Sequence, residues 1–169
     1  MMFPKRTLTI FNGIKDSKKL TEKSRQEWCK KIYEEKKSGN INFAIASASN
    51  HEIDKFGLSK VIKIIIKKIL EKIVYDPANS FILLDGSLYA PPEYLYQETI
   101  IKGDEKEQII ASASVVAKVY RDALMTEYSK KFPEYGFEKH KGYGTASHYE
   151  AIKKTGICEI HRKSFLKNL

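Results

Sequence analysis

Apolar residues recur along this chain with two different periods, and the change of period marks out its elements. Leu58, Val61, Ile62, Ile65, Ile66, Ile69, Leu70 and Ile73 return at steps of three and four, the spacing of one helix face, while Lys60, Lys63, Lys67 and Lys72 fill the opposite side. The lysine side reads as a solvated face and is assigned no function. Ser49 and Glu52 have the spacing of a capping box and open this helix. Upstream, Thr21 is placed to cap a helix that runs to about Lys37 and stops at Gly39. Phe81-Ile82-Leu83-Leu84 is a wholly apolar run between turn residues, which predicts a central strand with Asp85-Gly86 at its carboxyl end. Leu8 to Phe11, Asn42 to Ala48 and Glu98 to Ile101 read as further short strands. A small-residue run from Ile109 to Ser114 leads into a helix reaching about Lys130, Pro133 ends it, and a last helix starts near Thr145. Ala111, Ala113 and Ala117 allow that long helix to pack closely on a sheet.

Strands and helices therefore interleave without a Pro/Gly/Ser-rich linker, which predicts one α/β domain over residues 1–169. A chain of 169 residues with 42% apolar and 30% charged residues is long and apolar enough to bury a core. No stretch approaches the roughly twenty apolar residues of a membrane span, and Met1 to Arg6 lacks the pattern of an export signal. Cys29 and Cys158 stand too far apart for a zinc ribbon or a disulfide framework, so a cytoplasmic setting is expected. Glycine loops of the dinucleotide and P-loop types are absent from the sequence. Thirty Lys plus Arg against twenty-one Asp plus Glu leave a net charge of +9, which favours a polyanion, nucleic acid first.

Three groups of residues carry candidate chemistry. Asp85 ends an apolar strand and Asp122 lies late in the helix that should pack against it; if they converge, the pair suits Mg²⁺ and phosphodiester hydrolysis. Each alone reads equally as a turn dipeptide or a surface helix pair. The segment from Gly136 to Gly144 is basic, aromatic and glycine-bearing. Its Lys139, Lys141 and Tyr143 could meet a nucleic-acid backbone, or simply line a surface loop. Asp16-Ser17-Lys18-Lys19 offers a hydroxyl on Ser17 and ammonium groups on Lys18 and Lys19, which suit phosphate.

Taken in order, these motifs resemble ribonuclease HII, the type 2 ribonuclease H family. The resemblance runs from Gly13-Ile14-Lys15-Asp16-Ser17-Lys18-Lys19-Leu20 through Leu84-Asp85-Gly86 and Ile101-Lys102-Gly103-Asp104 to Ala117-Lys118-Val119-Tyr120-Arg121-Asp122. It continues in Tyr135-Gly136-Phe137, His140-Lys141-Gly142-Tyr143-Gly144-Thr145 and His161-Arg162-Lys163-Ser164-Phe165, and so covers almost the whole chain. It implies a ribonuclease H-like mixed sheet flanked by helices, and four acidic residues that bind two Mg²⁺ or Mn²⁺ ions. Asp85 and Asp122 match the third and fourth of these, and Tyr143 matches a tyrosine that packs on the sugar at an RNA–DNA junction. The implied activity is nicking of the RNA-containing strand of RNA–DNA hybrids, or of DNA duplexes with embedded ribonucleotides. Cutting 5′ of the ribonucleotide leaves 3′-hydroxyl and 5′-phosphate ends, and the complete protein is expected to be a monomer.

The family's first two acidic residues belong to a Gly-Ile-Asp-Glu-Ala-Gly-Arg-Gly segment that has no counterpart here, so the N-terminal strands are expected to be missing or incomplete. Two ions bring +4, and two aspartates return only −2. A catalytically impaired nucleic-acid-binding remnant is therefore the alternative reading. Neither Asp104 nor Glu98 has a spacing that argues for a place in the vacant positions, and Glu159 stands where relatives usually carry proline.

Overall fold

The computed structural model describes residues 1–2, 10–14, 16–74 and 76–166. Among them are seven α-helices and one two-stranded parallel sheet, the mixed α/β class that the interleaved pattern and the family resemblance imply. Helix α1 (Glu22–Lys37) begins where the Thr21 hydroxyl accepts the Ser24 N–H at 3.2 Å, and it ends at Ser38, with Gly39 following at φ 74°. The capping box at Ser49 is formed, but the helix it opens is only α2 (Asn50–Phe56). Gly57, at φ 79°, breaks the backbone, and α3 (Leu58–Ile73) carries the apolar stripe as a separate helix. The single helix expected from joining that capping box to the stripe is thus two, because one residue at positive φ cannot continue the hydrogen-bond ladder.

Strands β1 (Phe81–Asp85) and β2 (Tyr96–Ile100) pair in parallel, with Phe81 opposite Tyr96 and Asp85 opposite Ile100. The ten-residue connection between them is folded back and pinned by side chains. Gln97 accepts the Ala90 N–H at 2.8 Å and donates to the Tyr94 carbonyl at 3.0 Å, and the Thr99 hydroxyl donates to the Leu88 carbonyl at 2.8 Å. β1 was expected to be central, yet among the described residues only one of its edges is paired. Its residues line a groove of about 740 Å³, walled by Ile66, Leu70 and Ile73 of α3 and by Ala113 and Ala117 beyond it.

Two other strand expectations change. Leu8 and Thr9 lie outside the described residues, while Ile10 and Phe11 form a helical turn. Among the described residues, Asn42 to Ala48 forms no strand and makes one isolated antiparallel bridge, Asn42 with Met2.

Short α4 (Gly103–Lys106) leads into α5 (Gln108–Lys131), the spine of the molecule. Near its start, Ala111, Val115 and Val116 pack with Cys29 and Ile32 of α1 and with Phe43. Near its end, Met125 packs with Tyr135, with Phe137 of α6 (Phe137–His140) and with Ile152 of α7 (Ala146–Thr155). A third cluster joins Leu70 of α3 to Leu84 of β1, Ala90 and Tyr94. Helix α5 therefore fixes the sheet end and the basic loop relative to each other.

Candidate nucleic-acid and cation site

Parallel strands deliver their carboxyl ends to the same side of a sheet, where α/β proteins hold ligands. Asp85 is the last residue of β1; two residues after β2, Lys102 takes up left-handed backbone at φ 57° and α4 begins. The Gly103 N–H then donates to Asp85 Oδ1 at 2.8 Å. A Cβ at Gly103 would lie 2.6 Å from Ile110 Cδ1 and 3.4 Å from Asp85 Oδ1, so only glycine lets the turn close on the carboxylate without displacing a neighbour. This turn carries Asp104 into the molecule, where it is buried beside Asp85 and Asp16. Burial first, then the charges of Asp16 and Asp85, push the Asp104 carboxyl above the usual carboxylate range. Lys18, whose Nζ stands 3.8 Å from Asp104 Oδ2, offsets part of this.

Carboxylates that repel one another at the mouth of a site suit a hard divalent cation, which removes the repulsion and takes oxygen ligands. Asp85 and Asp104 have the donor chemistry for it. Among the described residues, no three His, Cys, Asp or Glu side chains have the geometry to enclose a metal ion together, so the cradle is partial.

Asp122 is elsewhere. Helix α5 carries it twelve residues beyond Ile110, about 18 Å along the helix axis from the side chain that packs over Gly103. Its Oδ1 accepts from Lys118 Nζ at 2.6 Å and its Oδ2 lies 3.7 Å from Arg25 Nη2, with all three side chains largely shielded. Arg25 in turn donates through Nη1 to the carbonyls of Ser17 at 3.1 Å and Leu20 at 2.6 Å. Asp122 therefore ties α1 and the 16–20 loop to α5, its charge already neutralised. The expected meeting of Asp85 with Asp122 is replaced by that of Asp85 with Asp104. Distance along the chain could not reveal this, since the pairing depends on two strands running parallel. The available signal was Lys102-Gly103-Asp104 directly after a strand, which the spacing argument passed over.

Ser17 also changes role. It is buried, and its hydroxyl is 2.8 Å from that of Ser114 on α5, so it docks the loop onto that helix. The Asp16 carboxylate shapes that loop by accepting the Lys18 N–H at 2.9 Å. Lys18 and Lys19 project outward, Lys19 pairing with Glu105 at 3.0 Å.

The basic, aromatic face lies beside the far half of α5. Tyr143 is 63% exposed, and Lys118 Nζ sits 5.3 Å from the centre of its ring, so one ammonium joins Asp122 to Tyr143. Next to it is a cleft of about 320 Å³ lined by Arg121, Lys141, Gly142, Tyr143 and Arg162. Burial and the nearby Arg162 guanidinium push Arg121 below its usual range. Among the described residues neither arginine forms an ion pair. Two guanidiniums without a carboxylate between them suit a phosphate, which guanidinium forks bind in bidentate fashion. Lys139 is exposed, whereas Lys141 turns inward and donates to the Thr126 hydroxyl at 3.2 Å. Arg25, Lys118, Arg121 and Arg162 have no role assigned from sequence, because position along the chain does not show which cations meet a carboxylate, as Arg25 and Lys118 do, and which do not.

A carboxylate cradle at the strand ends and, farther along α5, two guanidiniums without a carboxylate partner among the described residues and an exposed tyrosine have the chemistry to meet a phosphate backbone and a divalent cation. Comparison with known proteins gives that chemistry a family. The sequence matches the ribonuclease HII family over residues 2–168, and the chain belongs to it. It is 44% identical to the ribonuclease HII of Clostridioides difficile over 161 residues, which are 95% of this chain and 60% of that protein. It is 43% identical to the ribonuclease HII of Caldicellulosiruptor saccharolyticus over 161 residues, 95% of this chain and 75% of that protein. With the ribonuclease HII of Clostridium acetobutylicum the identity is 45% over 163 residues, 96% and 61% of the two chains. The chain thus spans 60% of the length of the Clostridioides relative.

Proposed function

We propose that this chain serves the metal-dependent nicking of the RNA-containing strand in RNA–DNA hybrids and in DNA duplexes with embedded ribonucleotides. Cutting falls 5′ of the ribonucleotide and leaves 3′-hydroxyl and 5′-phosphate ends. The observation that carries the reading is the closure of Gly103 on Asp85, which sets the Asp104 carboxylate beside it in a chain of the ribonuclease HII family. Asp85 and Asp104 would hold Mg²⁺ or Mn²⁺. Bound there, such an ion polarises the phosphodiester and acidifies water. Arg121 and Arg162 bind backbone phosphate, with Lys18, Lys19 and Lys139 adding longer-range attraction. Tyr143 lays its ring on the sugar, where the 2′-hydroxyl distinguishes RNA from DNA. Asp122 orders Lys118 beneath that ring. No helix among the described residues is long and apolar enough to cross a membrane, and the proposed setting is the cytoplasm.

A second reading, binding without hydrolysis, is favoured by one observation: the described carboxylates do not enclose an ion. One assay separates the two. The purified chain is incubated with a duplex holding a single ribonucleotide, with Mg²⁺ or Mn²⁺, and the products are resolved by length and end group. A nick 5′ of the ribonucleotide that disappears in Asp85→Asn supports catalysis. Saturable binding with no nick leaves the binding reading, and neither binding nor nicking overturns both.

A further inference from the structure

Four hydrogen bonds around the basic loop fix the protons on two buried histidines. The Cys158 N–H donates to His161 Nδ1 at 2.9 Å, and Cys158 Sγ lies 3.0 Å from the same nitrogen. That nitrogen is therefore an acceptor, and the proton of neutral His161 sits on Nε2. His161 Nε2 lies 3.2 Å from His148 Nε2, which must accept, so the proton of His148 sits on Nδ1. His148 Nδ1 then donates to the Tyr143 carbonyl at 2.9 Å. The row Cys158, His161, His148, Tyr143 runs in one direction and is satisfied only while both rings are neutral.

We propose that His161 and His148 are positioning residues for nucleic-acid recognition: their one-proton relay holds Tyr143 in place, and a further proton on either ring releases it. The inference rests on the reading that Tyr143 faces the nucleic acid. A proton added to His148 sets two N–H donors face to face at the 3.2 Å contact, and one added to His161 sets Nδ1–H against the Cys158 N–H. Either way the pair must part, and the loop held by His148 moves with it.

The surroundings favour the neutral state. Burial pushes both histidines below their usual value, and for His161 the neighbouring His148 adds to this. His140 of α6 stacks on His148 at 4.3 Å, its Nδ1 accepting the Gly142 N–H and its Nε2 donating to the Tyr135 carbonyl. The Tyr135 ring lies 5.0 Å from His161. Arg121 of α5 and Arg162 of the tail share the cleft that both histidines line, while Glu134 and Glu159 act on Cys158.

Adding protons to a basic protein strengthens attraction to a polyanion, whereas release of Tyr143 weakens binding. Binding of an RNA–DNA hybrid carrying a dye that does not titrate in this range is followed in chelator, so that nothing is cut, from about pH 7.5 down to about pH 5, below the range of an ordinary histidine because burial lowers both rings. The wild-type affinity is expected to fall about fivefold or more with acidification. Tyr143→Ala binds more weakly at the higher pH and loses this fall. In His161→Gln an amide that does not titrate can still donate to His148, and its two affinities stay within about twofold of each other. Unchanged or tighter binding at low pH in the wild type overturns the proposal, as does a fall of equal size in Tyr143→Ala. Nitrogen-15 NMR of the free wild-type chain gives an arm independent of binding. Expected are a proton on Nδ1 of His148 and on Nε2 of His161, with the Tyr143 amide shifting in step with the histidine titration. Opposite tautomers, or a Tyr143 amide that ignores the titration, sink the relay even if hybrid binds. Absence of hybrid binding at every pH, with the tautomers as stated, strikes the nucleic-acid reading instead.

Discussion

Asp104 and Asp122 show how differently two acidic side chains of one chain are used. Asp104 is buried among like charges, and Asp122 is half-buried between two cations. Asp104→Asn is therefore expected to raise the melting temperature in chelator, by removing repulsion, and to abolish Mn²⁺ binding as read by titration calorimetry. Asp122→Asn should keep Mn²⁺ binding and lower stability by about 2 kcal/mol, because Lys118 and Arg25 lose a shielded partner. Chemical denaturation measures that loss; the reverse pattern would return the cation role to Asp122. With Arg121 and Arg162 proposed to bind phosphate, replacing either by alanine should weaken hybrid binding. Each replacement should also reduce the slope of log affinity against log salt by about one. An unchanged slope would mean that the cleft does not touch the backbone.

Helices and strands matter here for what they hold together. The turn between β2 and α4 works only because Gly103 is bare, and the atom its Cβ would strike is the flexible end of Ile110. Gly103→Ala should cost about 1–3 kcal/mol through overpacking, and Gly103→Ala with Ile110→Val should recover most of it. Thermal melts of the two variants check this; no recovery would place the strain in the backbone. The break at Gly57 belongs here too. The capping box at Ser49 and the stripe from Leu58 stand on either side of it, and neither signal reports one residue at φ 79° between them. Helices α1, α3, α5 and α7 were legible because caps, stripe and stop signals agree locally. The strands were less so: Asn42 to Ala48 has a strand's composition, but pairing is a property of two segments and one segment cannot declare it.

Across the molecule, two kinds of buried group move stability in opposite directions with pH. His148 and His161 are held below their ordinary value of 6.5, so the unfolded chain takes up protons first. Their contribution is complete above about pH 6.5 and is lost as pH falls toward the lowered folded values. Asp104 is held above its ordinary 3.8, so the folded chain binds that proton more tightly, and stability declines as pH rises through the range above 3.8. Melting temperature against pH in chelator should show an acid limb beginning near pH 6.5 that is smaller in His161→Gln. Asp104→Asn should remove the second decline without moving the first. A histidine limb that survives in full would mean that other groups carry it.

The linear order of residues was enough for the α/β class, the long helices with their caps, the basic surplus and the family, because each rests on local pattern or motif order. Asp85 was legible for the same reason, standing at the end of an apolar run. Folding alone could settle which carboxylate stands beside Asp85, which cations have no carboxylate partner among the described residues, and how two histidines thirteen positions apart carry a row of hydrogen bonds to the Tyr143 carbonyl. Those are facts of a few ångströms between distant segments. Coulomb energy and hydrogen bonding depend on separation in space, which position along the chain does not supply.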